Sequence, residues 1–149
     1  MKTHAAFFLE VKSFKVVVMP FVFETRQKDY PQLIHTVLGR RAESGISLSG
    51  ESSDNPALST ESGQVNIHAV LPQEWLDHVE LRYCHGRLSS IAVVLYTGEG
   101  YLRLHPKRAS YESIERYVLE CRRLRILSKT RNIREHSFVR AQYGNEETK

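Results

Sequence analysis

Hydrophobic and polar positions near the N-terminus follow a pattern that predicts two strands. Residues 5–11 and 14–24 are rich in β-branched and aromatic side chains, which favour extended backbone. Ser13 lies between the two runs and is interpreted as a turn. Pro20 interrupts the second run. Because proline cannot donate a ladder hydrogen bond, this strand is expected at a sheet edge or with a bulge.

The strongest strand signal lies in the second half of the chain. Residues 79–84 alternate between apolar and polar side chains, as a strand with one buried face does. A turn at residues 85–86 leads into residues 88–96, in which residues 91–95 are all apolar and predict a strand buried on both faces. A glycine-containing loop precedes residues 101–104, so the three runs together predict a β-meander.

Two stretches change to the three- and four-residue spacing of apolar positions that is typical of amphipathic helices. Residues 30–41 form the first, and Gly39 marks its end. The second extends over residues 111–127, with Ser110 as the expected N-cap. Its glutamates lie mainly in the first turns and its arginines in the last, which suits the helix dipole.

Residues 42–64 are rich in serine and glycine and poor in apolar side chains, which predicts a long polar loop inserted into a domain. An alternating run at residues 65–71 then predicts another strand. A chain of 149 residues suits one domain, here residues 1–140, followed by a frayed tail at residues 141–149. The predicted fold class is α+β: an antiparallel sheet, formed by the N-terminal strand pair and the C-terminal meander, with helices packed mainly on one face.

The formal net charge of +4 conceals two segments of opposite sign. Residues 42–81 contain seven acids and no lysine or arginine, a net charge of −7. Residues 103–140 contain eleven bases and four acids, a net charge of +7. Such asymmetry indicates either a site for a polyanion or an acidic segment that neutralises the basic one within the same chain.

The basic segment supports the leading hypothesis, a small non-enzymatic accessory or regulatory protein that binds nucleic acid, RNA more readily than DNA. A helix that packs by its apolar face and is basic on the other can lie along a phosphate backbone. The residues expected to contact phosphates are Lys107, Arg108, Arg116, Arg122, Arg123, Arg125, Lys129, Arg131 and Arg134.

A second hypothesis is a protein-interaction or inhibitor module. Its contact surface would be the acidic serine-rich loop or an exposed strand edge near Pro20, because an unpaired edge presents backbone donors and acceptors to a partner. The partner is therefore nucleic acid or another protein, and the oligomeric state, a homodimer included, stays open.

A weak nuclease is the third hypothesis. Residues 7–12 resemble the second half of the restriction-endonuclease-like motif, in which a glutamate holds a metal and a lysine polarises the attacking water, here Glu10 and Lys12. No acid precedes Glu10, so Asp29 would have to supply the missing ligand out of order. The six-residue match therefore lacks the context of the family pattern.

A metal-independent ribonuclease would need a general base, a general acid and a cation, for which His85, His105 and Arg103 or Arg82 are candidates. The histidines and the two cysteines show no recognised zinc-ligand spacing. We therefore assign no catalytic residue, metal ligand or cofactor from the sequence.

Apolar runs and cysteine content indicate where in the cell the protein is expected. No apolar run reaches the roughly 18 residues that a membrane helix needs. Cys84 and Cys121 are typical of reduced thiols. We expect no membrane partner and a cytoplasmic or otherwise intracellular protein.

Overall fold

A computed structural model describes residues 11–52, 65–124 and 133–138. They form two four-stranded sheets and two α-helices, so the α+β class predicted from the pattern is confirmed. In chain order, the elements are β1 (Val11–Val18), β2 (Phe21–Glu24), α1 (Tyr30–Gly39), β3 (Ser47–Ser52), β4 (Val65–Val70), β5 (Leu76–Cys84), β6 (Arg87–Tyr96), β7 (Tyr101–Leu104), α2 (Tyr111–Arg123) and β8 (Ile133–Phe138). Short 3-10 turns at Gln27–Asp29, Gln73–Trp75 and Arg108–Ser110 precede α1, β5 and α2.

The predicted strands divide between two sheets instead of joining in one. The first sheet has the order β2-β1-β4-β3, and the second has the order β7-β6-β5-β8. Pairing is mostly antiparallel, but β1 runs parallel to β4 and β5 runs parallel to β8. Each parallel pair joins strands that are distant in the chain, and for this reason local sequence patterns do not reveal it.

The predicted turn at Ser13 is wrong. Ser13 lies inside β1, where its hydroxyl donates a hydrogen bond to the side chain of Asn66 on the parallel neighbour β4. The chain reverses instead at Met19 and Pro20, and the peptide bond between them is cis. Phe14 and the two valines at alternate positions after it are buried on one face, so the strand continues past the polar residue.

The prediction of an unbroken loop over residues 42–64 is also wrong, because residues 47–52 form β3. This edge strand pairs with β4 over its whole length. Its serines and Gly50 carry no strand signal, and the ladder to β4 holds them extended. At Gly50 an added Cβ would lie 3.4 Å from the side chain of Ile67, which is close to an ordinary van der Waals contact. Residues 53–64 lie outside the described part.

The predicted meander is confirmed in the second sheet, where β5, β6 and β7 are paired antiparallel in sequence order. The turn between β5 and β6 places His85 and Gly86 at positive φ, 55° and 78°. Glycine adopts this conformation at little cost, and the two-residue turn matches the twist of the flanking strands. Residues 91–95 are all buried, as their uniform apolar pattern predicts.

The second helix is shorter than predicted. It ends at Arg123, and Leu124 follows as the C-cap with half of its side chain exposed. The buried face of the helix consists of Tyr111, Ile114, Val118 and Cys121, and Leu124 lies outside it. Both cysteines are free thiols.

The two sheets meet where β2 and β7 end, at a place that we call the junction. Thr25 and Pro106 form an isolated antiparallel bridge there. The backbone N–H of Arg26 donates to the carbonyl of His105 at 2.9 Å. The corresponding bond on the other side runs from the N–H of Lys107 to the carbonyl of Glu24, at 2.7 Å.

The junction has a local two-fold relation. On each side a 3-10 turn leads into a helix that starts with a buried tyrosine. The last residue of each turn accepts a backbone N–H from the other side: Asp29 from His105 at 2.7 Å, and Ser110 from Glu24 at 3.0 Å. Ser110 therefore occupies the predicted N-cap position, but its hydroxyl serves the opposite strand end and not its own helix. Each half thus completes the hydrogen bonding of the other.

Both sheets and both helices contribute to one contiguous cluster of buried apolar side chains. Its largest fully buried members include Phe14, Phe23, Leu33, Leu81 and Leu95. No helix among the described residues is long and apolar enough to span a membrane.

Candidate nucleic-acid interface

Six of the nine cations predicted to contact phosphates fall within the described residues, on three elements. Lys107 and Arg108 lie in the stretch between β7 and α2, and Arg134 lies on β8. The helix α2 carries the other three, namely Arg116, Arg122 and Arg123. Arg125, Lys129 and Arg131 lie outside the described residues.

All three arginines of α2 form ion pairs with glutamates. The pairs are Arg116 with Glu112 at 3.0 Å, Arg122 with Glu135 at 2.6 Å, and Arg123 with Glu120. The hydrogen bond from Arg123 lowers the pKa of the Glu120 carboxyl. The helix contains three arginines and three glutamates, so it has no net charge.

The positive excess of the basic segment therefore lies on either side of α2. Residues 103–110 contain three cations and no acid, and residues 125–132 contain three cations and no acid. On the first side, Lys107 pairs with Glu24 at 3.3 Å, and the guanidinium of Arg108 lies 4.9 Å from the centre of the Tyr111 ring. Along the sequence, the candidate interface therefore consists of two basic flanks separated by a neutral helix.

Within the described residues, an ion pair joins the acidic and the basic segments. Two guanidinium nitrogens of Arg103 donate to the carboxylate of Glu80, at 2.5 and 3.3 Å. This hydrogen bonding, followed by that of His78, holds the pKa of Glu80 at about 2. Charge cancellation within the chain thus occurs at this position on the second sheet.

A pocket of about 240 Å³ lies between this ion pair and the junction, and we call it the junction pocket. It brings together arginines from three separate parts of the chain. Its charged and polar lining residues are Arg26, Arg82, Arg103, Glu80, His105, Ser90 and Tyr111.

Strand register explains why the second sheet presents these side chains together. Arg82 is opposite Ser90 in the β5–β6 ladder, and Glu80 is opposite Ala92 two residues away on each strand. Successive side chains of a strand point to opposite faces, so this polar face lies behind the core face that contains Val79 and Leu81.

The junction supplies the remaining side of the pocket. Arg26, just after the Thr25 bridge, donates to the hydroxyl of Tyr111 at 3.3 Å. His105 is held by Asp29, which accepts its backbone N–H and lies 3.3 Å from its ring Nδ1. The side chains of Arg26 and His105 are therefore each held by a polar neighbour, Tyr111 and Asp29 respectively.

Behind the pocket, His78 is buried between two carboxylates. Its Nδ1 lies 2.7 Å from Asp77 and its Nε2 lies 3.0 Å from Glu80. A carboxylate only accepts hydrogen bonds, so each ring nitrogen of His78 faces an acceptor. Glu80 is therefore held between two donors and cannot turn without losing one of them.

Sequence reasoning missed the junction pocket as a site. It considered Arg82 and Arg103 only for a ribonuclease, and it did not consider Arg26. Strand alternation places Arg82 and Glu80 on one face, so part of the pocket has a sequence signal. Nothing local connects Arg26 to them, because the junction joins chain segments about 80 residues apart.

The groups weighed for a nuclease are divided among different environments. Asp29 accepts hydrogen bonds from the Thr25 hydroxyl at 2.5 Å and from the backbone of His105, which gives it a structural role. Arg103 and His105 line the pocket, whereas His85 sits in the β5–β6 turn and does not. Glu10 lies outside the described residues. Within those residues, no group of three or more His, Cys, Asp and Glu side chains is arranged to hold a metal ion.

Comparisons of the chain with protein-family models, with curated proteins and with solved structures yield no match. Function is therefore argued from the residues of this chain.

Proposed function

We propose that this protein is a small non-enzymatic accessory or regulatory protein that binds nucleic acid, with RNA preferred over DNA. The observation that carries the proposal is the excess of seven positive charges in residues 103–140, concentrated on the two flanks of α2. The phosphate contacts would come from the flanks first, through Lys107 and Arg108 on one side and Arg125, Lys129 and Arg131 on the other. Arg134 on β8 adds a further cation.

The ion pairs on α2 do not prevent its arginines from joining the interface. The side chains of Arg116 and Glu112 are 71% and 84% exposed. Exposed pairs of this kind contribute between about 0 and 1 kcal/mol, so a phosphate can replace the glutamate at low cost. Arg116, Arg122 and Arg123 therefore act as a second, weaker set of contacts.

An exposed aromatic pair supports the binding of unpaired bases. Tyr96 and Tyr101 face each other across the β6–β7 ladder with ring centres 4.8 Å apart, and they are 43% and 65% exposed. Unpaired bases stack on such rings, and proteins recognise RNA mainly through its single-stranded parts. Tyr83 does not extend this platform, because its half-buried hydroxyl donates to Glu115 of α2.

The proposal is tested by fluorescence anisotropy with single-stranded RNA and DNA of the same sequence over a series of salt concentrations. We expect affinity to fall steeply with salt, because bound cations release counterions from the phosphates. Arg108→Gln should weaken binding about threefold or more, as expected for loss of one phosphate contact.

Arg87→Gln is the matched control for this variant. Arg87 is an exposed arginine in the β5–β6 hairpin, outside the basic segment, and its loss changes the net charge equally. If neither nucleic acid binds in a salt-sensitive way, or if both variants behave alike, the proposal is wrong.

An exposed apolar patch favours a protein-binding surface as a second candidate function. Val22 and Val70 lie on either side of Val17 in the first sheet, and both are about two-fifths exposed; Met19, in the adjacent turn, is more so. This patch lies at the Pro20 end of the sheet. Sedimentation velocity over a range of protein concentrations tests whether this patch mediates self-association. Val22→Lys should abolish any dimer whose amount depends on concentration. A dimer that this substitution leaves unchanged would exclude the patch as the contact surface.

A further inference from the structure

One extended segment carries the chain from the second sheet across the junction. Between Tyr101 and Lys107 its side chains alternate between accessible and buried positions. Because every second side chain of an extended segment points the same way, the accessible ones form a row about 20 Å long, which we call the outer row. Its members are Tyr101, Arg103, His105 and Lys107. The outer row therefore leads from the exposed tyrosine pair to the junction.

Cross-strand neighbours widen this row into a surface two strands across. Tyr96 lies opposite Tyr101 in the β6–β7 ladder. At the junction Arg26 lies opposite His105, and the backbones of the two residues share a hydrogen bond. Residues directly opposite each other in an antiparallel pair point to the same face. Arg26 is therefore on the side of the second sheet that carries the exposed tyrosines.

Two cations of the outer row already have carboxylate partners. Arg103 pairs with Glu80, and Lys107 pairs with Glu24. Such pairs give this surface no net positive charge. The charge that attracts a phosphate must therefore come from other cations beside the row.

Arg26 and Arg108 supply that charge, and one tyrosine contacts both of them. A guanidinium nitrogen of Arg26 donates to the hydroxyl of Tyr111 at 3.3 Å, and the guanidinium of Arg108 lies over the ring of Tyr111, 4.9 Å from its centre. Both arginines are exposed, and within the described residues neither forms an ion pair with a carboxylate. A neutral tyrosine leaves the positive charge of both groups uncompensated.

Tyr111 is itself fixed in place. It begins α2, is 5% exposed and belongs to the apolar core cluster. Side chains that are already oriented lose less freedom when they bind a ligand. Guanidinium groups offer phosphate paired N–H donors in a planar fork. Tyr111 therefore holds two phosphate-binding groups ready at the surface.

We propose that Arg26 and Arg108, oriented by Tyr111, bind the phosphate backbone of a single RNA strand whose bases stack on Tyr96 and Tyr101. The strand would follow the outer row. This assignment rests on the proposed function and adds Arg26, which lies outside the basic segment, to its phosphate contacts. Backbone phosphates are accessible along a single strand, so exposed arginines can reach them without an enclosing pocket.

The first test repeats the anisotropy titrations with Arg26→Gln. Each phosphate contact on a single strand contributes about 0.7 to the slope of log affinity against log salt concentration. Arg26→Gln should therefore reduce this slope by about 0.7 and weaken RNA binding about threefold or more. Arg87→Gln, which removes an exposed arginine of the β5–β6 hairpin, is the matched control and should change neither quantity.

Tyr111→Phe tests the positioning role, because it removes the hydroxyl that Arg26 contacts and keeps the ring beside Arg108. RNA affinity should fall in the wild-type background, by less than Arg26→Gln lowers it, and should not change in the Arg26→Gln background. A general structural defect would lower affinity in both backgrounds and would contradict this role. Tyr30→Phe is the control, since Tyr30 is also buried and begins α1 at the equivalent place across the junction.

Tyr101→Ala tests whether bases and phosphates of one strand share the row. We expect it to weaken RNA binding about fivefold or more, the effect of losing one stacked base. A strand of equal length without bases retains the phosphates, so Tyr101→Ala should leave its binding unchanged while Arg26→Gln still weakens it. Equal losses from Tyr101→Ala with both strands would overturn the stacking of bases on this tyrosine.

The outcomes separate this inference from the proposed function. If Arg108→Gln weakens RNA binding but Arg26→Gln behaves like Arg87→Gln, the inference is wrong and the proposed function stands. If no nucleic acid binds in a salt-sensitive way, the proposed function is wrong and the inference fails with it. Circular dichroism checks the fold of each variant, and Arg26→Met replaces Arg26→Gln if the latter does not fold.

Discussion

The two sides of the junction share a geometry but differ in chemistry. Asp29 and Ser110 occupy equivalent positions, and each accepts the backbone N–H of the opposite strand end. Asp29 is buried and also binds the Thr25 hydroxyl and approaches the His105 ring, whereas Ser110 is half-buried and neutral. The same backbone arrangement is thus completed by a charged network on one side and by one neutral hydrogen bond on the other.

The outer faces of the two sheets also differ, although both carry charged groups. The first sheet exposes Val22 and Val70 together with Lys15, while the second carries Glu80, Arg82 and Arg103. The charged groups of the Asp29 side converge with those of the second sheet at His105 and Arg26. The junction therefore supports the core and, on one side, also forms part of a polar site.

The largest expected effect comes from removing the charged side of the junction. Asp29→Ala should destabilise the protein by about 2–4 kcal/mol, because it removes the acceptor of the His105 backbone N–H and the closer acceptor of the buried Thr25 hydroxyl. Urea unfolding followed by circular dichroism measures this. Asp29→Asn, which keeps one acceptor, should lose less, and an Ala variant within 0.5 kcal/mol of the wild type would contradict the role of Asp29.

The second effect concerns the ion pair on the second sheet and depends on pH. Because folding lowers the pKa of Glu80 from 4.5 to about 2, its ionised form stabilises the fold above pH 4.5, and this contribution is lost as the pH falls toward 2. Arg103 is 49% exposed, so solvent screening limits the contribution to about 1–2 kcal/mol.

Unfolding free energies of the wild type and Glu80→Gln at pH 7 and pH 3 check this sign. The two proteins should differ most at pH 7 and least at pH 3. A difference that grows as the pH decreases would show that the carboxylate is not stabilised by Arg103 and His78.

Removing the neutral side of the junction should have a smaller effect. Ser110→Ala should cost about 1 kcal/mol, the usual value for one hydrogen bond between neutral groups. Urea unfolding of Ser110→Ala, measured under the same conditions as Asp29→Ala, compares the stability lost on the two sides of the junction. If the two variants lose equal stability, the junction is symmetric in energy as well as in geometry.

The smallest effect is expected at the surface of α2. Arg116→Gln breaks the exposed pair with Glu112 and should change stability by less than about 0.5 kcal/mol. The same unfolding experiment measures this change in stability, and Glu112→Gln, which removes the other partner of the pair, is the control. A loss above 1 kcal/mol would mean that the pair supports the fold and is not available to a phosphate.

Much of the fold could be predicted because its patterns are local. The meander follows from alternation in residues 79–84 and from the uniform apolar run at residues 91–95, and both helices follow from their apolar spacing. β3 could not be predicted in this way, because its serines are held extended by pairing with β4 and not by their own preference.

The candidate interface was only partly predictable for a similar reason. The charge excess of residues 103–140 is a property of composition, whereas the neutrality of α2 emerges from where the helix begins and ends. The pairing of Arg122 with Glu135 depends on β8 returning beside β5.

By itself, the sequence determined the α+β class, the meander, the two helices and the division into an acidic and a basic segment. These properties arise from neighbouring residues, whose spacing and charge can be read directly. Only the tertiary structure decided that the strands form two sheets, that Asp29 and Ser110 complete opposite strand ends, and that Arg26 meets Arg82 and Arg103. Those arrangements depend on pairing between segments far apart in the chain, and local preferences contain no information about it.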